Sequence, residues 1–253
     1  MKSEMRRVIQ LCAAAALVIG LSSPGAHAQT TNFTVKATSG IWLAWQSAGT
    51  SVTGYFGSDY APGNSPVPFN VTGGTILTFN NVTGSTSVDD NCYAGPDGGC
   101  YANQSGFSPD PASGDYNGPA DALLGVFLNS TAPTINGSGV PTGFLPGLDY
   151  QAAGSEGQSS YSPTLNQIFF IGDGLTGTGT GNFQEFTVPA GATGLYLGVA
   201  DSVGASTGNL GSISGSVNGA TSVPEGPALP TLGLGTLALL GAMAIGNRGF
   251  IAN

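Results

Sequence analysis

Short apolar runs, not helical stripes, pattern the chain between residues 29 and 222. Residues 33–37 alternate, with Phe33, Val35 and Ala37 apolar and Thr34 and Lys36 polar, the period of a half-buried strand. Residues 41–45 predict a second strand after Gly40. Residues 75–79 and 82–88 predict consecutive strands flanking Asn80-Asn81. Residues 121–128 form the most apolar run of the body and predict a central strand. Residues 167–171, 183–188, 195–200 and 211–217 complete a set of about nine strands, each bounded by Gly, Pro, Asn or Asp. This pattern predicts an all-β chain, a single antiparallel β-sandwich or jelly roll. Residues 89–120 and 129–166 read as long loops, and the Thr-Gly repeat at 176–181 as a flexible turn.

The two ends follow a different pattern. Lys2, Arg6 and Arg7 precede an apolar stretch over 8–21, and Ala26-His27-Ala28 is a small-x-small cleavage site. Residues 1–28 therefore read as a signal peptide, handed to the Sec translocon and signal peptidase, with 29–222 as the exported domain. At the other end Val223-Pro224-Glu225-Gly226 is followed by an uncharged, mostly apolar run over 227–246 and then Arg248. Twenty helical residues at about 1.5 Å each reach roughly 30 Å, the thickness of a hydrocarbon core. Arg248 holds the far end in the cytoplasm under the positive-inside rule.

Charge narrows the function classes. Residues 29–222 carry one cation, Lys36, and twelve carboxylates, so 1 − 12 = −11. Such a surface repels phosphate backbones and excludes nucleic acid as a partner. The sole histidine, His27, falls in the leader, so the body cannot build a Ser-His-Asp triad, a Cys-His pair or an ordinary zinc site. Cys92 and Cys100, the cysteines left after processing, read as a disulfide in an oxidising compartment, with a redox pair and metal thiolates as competing readings. A glycosidase needs only two carboxylates. Asp89-Asp90 or Asp110/Asp115 could supply them, but nothing sets a pair at a catalytic separation, and no enzyme is expected.

Val223-Pro224-Glu225, one short apolar span and a terminal basic residue resemble the PEP-CTERM sorting signal. The resemblance covers residues 223–253. It implies a transient single-span intermediate, cleavage near 223–226 by an exosortase-like enzyme, and delivery to the outer envelope or extracellular matrix. Gly226 replaces the second proline of the usual motif, and Arg248 stands alone where an arginine cluster is common. An uncleaved anchor and a lipid-anchor signal are the alternatives.

A second resemblance lies in the body. From Phe186 the chain reads as a strand, a Pro189-Ala190-Gly191 turn, and a strand ending at Asp201, then a loop to Asn209 and a last alternating strand. Together with residues 71–79 and 121–128, this resembles the PA-I-type galactophilic lectins and their wider β-sandwich family. In that family calcium bridges protein and sugar hydroxyls. The resemblance implies Asp201 and Asn209 as side-chain ligands and Ala205 and Tyr93 as carbonyl ligands, with Gly208 where the family has a further asparagine. Asp97, in a Gly-Pro-Asp-Gly-Gly turn, is a candidate to assist, because calcium accepts irregular sets of hard oxygens. Trp42 and Trp45 are the candidate sugar platforms; their odd spacing points them to opposite faces of a strand, one to the core. The expectation is an exported, calcium-supported carbohydrate-binding-like module for extracellular polysaccharide. The alternative is a structural surface or biofilm-matrix protein with no defined small ligand.

Overall fold

A computed structural model of the chain describes residues 29–54, 57–101, 116–131, 134–135, 141–142, 149–150 and 154–223. The alternation at the start of the body becomes β1 (Thr30–Lys36), with Phe33 and Val35 buried and Thr34 and Lys36 exposed. A 3-10 turn, Ile41–Leu43, follows. Next come β2 (Ser51–Gly54), β3 (Gly57–Tyr60), β4 (Val67–Asn70), the long β5 (Ile76–Ser87) and β6 (Leu123–Leu128). Then come β7 (Thr134–Ile135), β8 (Pro141–Thr142), β9 (Ser160–Tyr161), β10 (Ile168–Phe170), β11 (Leu175–Gly177) and β12 (Thr180–Phe183). The last four are β13 (Glu185–Thr187), β14 (Gly194–Val199), β15 (Leu210–Asn218) and β16 (Thr221–Ser222).

Ten of these form two five-stranded sheets, in the orders β1-β15-β5-β13-β9 and β10-β6-β14-β4-β16. The pairings are antiparallel except β13 with β9, which is parallel. The remaining six make three two-stranded hairpins. Aromatic rings join the two sheets. Phe33 of β1 meets Phe69 of β4 edge-on at 6.4 Å, and Phe169 of β10 lies 5.6 Å from Phe186 of β13. Such rings supply large apolar area to the shared core. All six residues of β6 are buried, so both its faces are covered, which is why it reads as one continuous apolar run. The chain is all-β, consistent with a β-sandwich.

Three expectations change. Residues 41–45 do not form a strand, because Ile41, Trp42 and Leu43 are buried consecutively, which an alternating strand facing one core does not allow. Asn80-Asn81 do not separate two strands; β5 runs through them for 12 residues. Asn81 takes a φ of +52°, and the pairing register slips between Ser214 and Ser216, as in a β-bulge. Asparagine tolerates that left-handed backbone better than most residues. Residues 183–188 divide at Gln184 between β12 and β13, and the Thr-Gly repeat is the tip of the β11–β12 hairpin.

Cys92 and Cys100 form a disulfide with Cα atoms 5.8 Å apart. It closes a loop that lies against the entry to β6, where the Leu123 amide donates to the Pro96 carbonyl at 2.9 Å. At Gly98, with a φ of +71°, an added Cβ would stand 2.3 Å from the Ala120 carbonyl oxygen, so glycine is required there.

The chain divides into two units after Ser222, and of the second only Val223 is among the described residues. The expected leader 1–28, the residues Pro224, Glu225, Gly226 and Arg248 of the expected sorting signal, and Asp110 and Asp115 lie outside the described residues. Among the described residues no helix is long and apolar enough to cross a membrane.

Candidate functional site

The site lies where β14 leaves its sheet. Asp201, two residues past Val199, is 8% exposed. Its backbone is held from below: the Trp42 indole N–H donates to the Asp201 carbonyl at 2.9 Å, and the 3-10 turn is what brings that indole, 1% exposed, into place. The Asp201 carboxylate accepts the Ser202 amide on Oδ1 at 2.6 Å and the Asn209 side-chain amide on Oδ2 at 2.9 Å. Asn209 Nδ2 also approaches the Ala37 carbonyl at 3.3 Å. That spends both amide protons, while Asn209 Oδ1 is buried without a hydrogen-bond partner. Burial pushes the Asp201 carboxyl up to about 6, against the Asn209 and Ser202 donors, which favour the charged form, while the Asp59 charge adds to the rise.

The loop between Asp201 and Asn209 is pinned by Asp59 of β3, itself buried. Asp59 Oδ1 accepts the Thr207 amide at 2.9 Å and the Thr207 hydroxyl at 2.8 Å, and Oδ2 accepts the Gly204 amide at 3.1 Å. The loop packs so closely on the β2–β3 hairpin that a Cβ on Gly204 would meet the Gly57 carbonyl oxygen at 2.3 Å and the Gly54 nitrogen at 2.6 Å. A cleft of about 530 Å³ opens above, lined by Asp201, Ser202, Ala205, Thr207, Asp89 and Tyr101 among others.

Asp121 stands beside this cleft at the head of β6. The β6–β14 ladder ends with Leu123 opposite Val199, and beyond it the Asp121 amide donates to the Ala200 carbonyl at 2.9 Å. Thr86 Oγ1 donates to the Asp121 carbonyl at 2.8 Å, and the residue takes a left-handed φ of +67°. Its side chain is wholly buried, and neither carboxylate oxygen has a hydrogen-bond partner. Burial, then the charges of Asp201 and Asp89, push this carboxyl up to about 7; the Val88 amide favours the charged form without completing a hydrogen bond.

Of the sequence-predicted ligands, Asp201, Asn209 and Ala205 come together here. Tyr93 is exposed, and its hydroxyl donates to Asp90 at 3.1 Å. Asp97 is engaged elsewhere, accepting the Asp173 amide at 2.7 Å; burial is the main cause of its raised pKa. Trp42 is core, and Trp45, half-buried with a φ of +81°, packs against the core edge. Asp89 accepts the Asn91 amide at 3.0 Å and the Tyr101 hydroxyl, whose bond is the main cause of its lowered pKa. Among the described residues no three Asp, Glu, Cys or His side chains converge to hold a metal by themselves, so any ion here would also need amide and carbonyl oxygens.

Asp59 and Asp121 are the site residues that sequence reasoning missed. Asp121 had a signal: it is a lone acid heading the most apolar run of a body with one cation. Asp59 had none, because its strand lies in a hairpin that the apolar pattern does not mark. Comparison of the chain with family models, curated proteins and solved structures found no match to any of them.

Proposed function

We propose that the chain is an exported, envelope- or matrix-associated module that binds carbohydrate through a calcium ion at the Asp201–Asn209 end of the sheets. The observation that carries this reading is the bond between Asn209 and Asp201, which leaves a buried amide oxygen with no partner beside an open cleft. Asp201, Asn209 Oδ1 and the Ala205 carbonyl are hard oxygen donors of the kind calcium takes in irregular sets. A bound calcium would supply a Lewis-acidic centre for two vicinal sugar hydroxyls. The protein residues do the rest. Asp59 holds the loop, Trp42 fixes the Asp201 backbone, and Thr207 and Ser202 offer polar groups at the wall. The Tyr101 ring, partly exposed at the cleft, takes the role of sugar platform that the buried Trp42 cannot.

The sandwich description and the sorting route belong to the same proposal: leader removal after residue 28, then cleavage near 223–226 by an exosortase-like enzyme. Mass measurement of the chain from envelope fractions is expected to give a mature form without the residues after Gly226; an intact Asn253 end would refute sorting by cleavage. For binding, the full chain is applied to a glycan array with calcium and with chelator, beside Asp201→Ala. Glycan signals that need calcium and vanish in the variant are expected. Signals indifferent to both, or none at all, would overturn the reading in favour of a structural matrix protein.

A further inference from the structure

Unpartnered buried polar atoms are costly and scarce in folded proteins, about 1–3 kcal/mol each. Among the described residues seven such side-chain atoms occur, and five of them belong to four residues just behind the cleft lining: Ser87 Oγ, both Asp121 oxygens, Ser206 Oγ and Asn209 Oδ1. Each belongs to a residue adjacent in sequence to one that lines the cleft, namely Val88, Ala120, Ala205 or Thr207, and Gly208. The cost thus falls in the segments that wall the cleft, and every one of these atoms is a hard oxygen.

Asp121 is the extreme case. Its carboxylate is fully buried, has no hydrogen-bond donor, and has two like charges, Asp201 and Asp89, as its electrostatic neighbours. Lys36, the one cation of the body, is exposed on β1. A buried carboxylate without donor or counter-charge is among the most expensive groups a fold can keep. The backbone around it is nonetheless locked, by the Thr86 hydroxyl on its carbonyl and by its own amide on Ala200, into a φ that non-glycine residues seldom adopt. The fold holds this side chain in place and, among the described residues, completes no hydrogen bond to its carboxylate.

We infer that Asp121 is a direct ligand of a hard divalent cation, calcium, shared with Asp201 and Asn209. This rests on the proposed function's reading of the cleft as a calcium site, and adds a ligand from another strand. The cation would neutralise the Asp121–Asp201 pair and satisfy the stranded oxygens together. Two carboxylates and an amide oxygen leave room for carbonyls and sugar hydroxyls in a shell of six to eight.

The test is calcium titration of the full chain by calorimetry, with terbium luminescence as a second readout. Terbium replaces calcium and is excited through a nearby indole; Trp42 is one hydrogen bond from Asp201. Wild type, Asp121→Asn and Asp201→Asn are compared. Loss of one carboxylate ligand is expected to weaken binding at least about tenfold in each variant and to quench the terbium signal. If Asp201→Asn weakens binding and Asp121→Asn leaves it within about twofold, the Asp121 assignment is overturned and the calcium reading stands. If wild type binds no calcium, both fall. Should Asp121→Asn fail to fold, carboxyl-¹³C aspartate spectra of wild type decide. Two buried aspartate signals shifting with calcium support the assignment, and one overturns it.

Discussion

Replacing Asp59 with alanine removes the clamp on the cleft loop without touching any proposed ligand. Asp59 is buried, and its two oxygens receive three donors: the amides of Gly204 and Thr207 and the Thr207 hydroxyl. The hydroxyl has a second acceptor, the Ser58 carbonyl at 3.0 Å, and is not orphaned by the change. The two amides lose the one acceptor they have among the described residues. Leaving a buried donor unsatisfied costs about 1–3 kcal/mol, and bonds to a charged acceptor lie at the upper end. The Gly204 bond is buried and the Thr207 amide only partly so, so the loss is expected at about 2–4 kcal/mol, a large part of the stability of a domain this size. Thr207→Val, which removes only the hydroxyl contact, should cost about 1 kcal/mol. The assay is urea denaturation of the full chain in chelator, comparing both single variants and the double variant. The double variant should be little worse than Asp59→Ala alone, because most of what Thr207 contributes passes through Asp59. A loss below about 1 kcal/mol for Asp59→Ala, or simple additivity with Thr207→Val, would refute the clamp.

Three further outcomes follow from the geometry. In chelator, stability should fall as pH rises. The Asp121 carboxyl is higher in the folded state, at about 7, than its ordinary 3.8, so its contribution is fully present below about pH 4 and lost through about pH 7. That rise corresponds to about 4 kcal/mol at full weight, or roughly 2 kcal/mol after discounting for water in the adjoining cleft. Urea midpoints against pH should show the slope, and Asp121→Asn should flatten it. Replacing both Cys92 and Cys100 by serine opens a loop with a sequence separation of 8, for which chain entropy gives a loss of about 2.5 kcal/mol, read by the same denaturation. Gly204→Ala, with a φ of +79° and backbone 2.3 Å from the new Cβ, should cost about 2 kcal/mol or more and weaken calcium binding in calorimetry.

Much of the scaffold was legible because its signals are local. Alternation in residues 33–37 and 211–217 marks strands with one face on the core, and the apolar run at 121–128 marks a strand covered on both. The lectin-like resemblance of the loop, and not its spacing alone, implied that Asp201 and Asn209 belong to one site, and the structure joins them at 2.9 Å. The cysteine pair closed as expected, since the two residues lie close in sequence. Tyr93 was implied as a carbonyl from a distal loop and Asp97 as a turn carboxylate; the Tyr93 side chain lies exposed, and Asp97 bonds to Asp173, 76 residues away, a partner that no local pattern encodes.

The sequence by itself determined the all-β character, the central strand and the acidic body with a single cation, because burial period and charge are properties of short windows. Only the tertiary structure decided what surrounds Asp201. β15, from the C-terminal end of the body, runs between β1 and β5, which come from its N-terminal half. Asp59 reaches Gly204 across 145 residues, and Asp121 meets Ala200 through a ladder that no local pattern encodes. Partners of that kind are chosen by which strands close on which, a choice made by the summed burial of the whole core. An acid's own neighbours in sequence therefore say little about whether its charge will be matched, capped or left waiting for an ion.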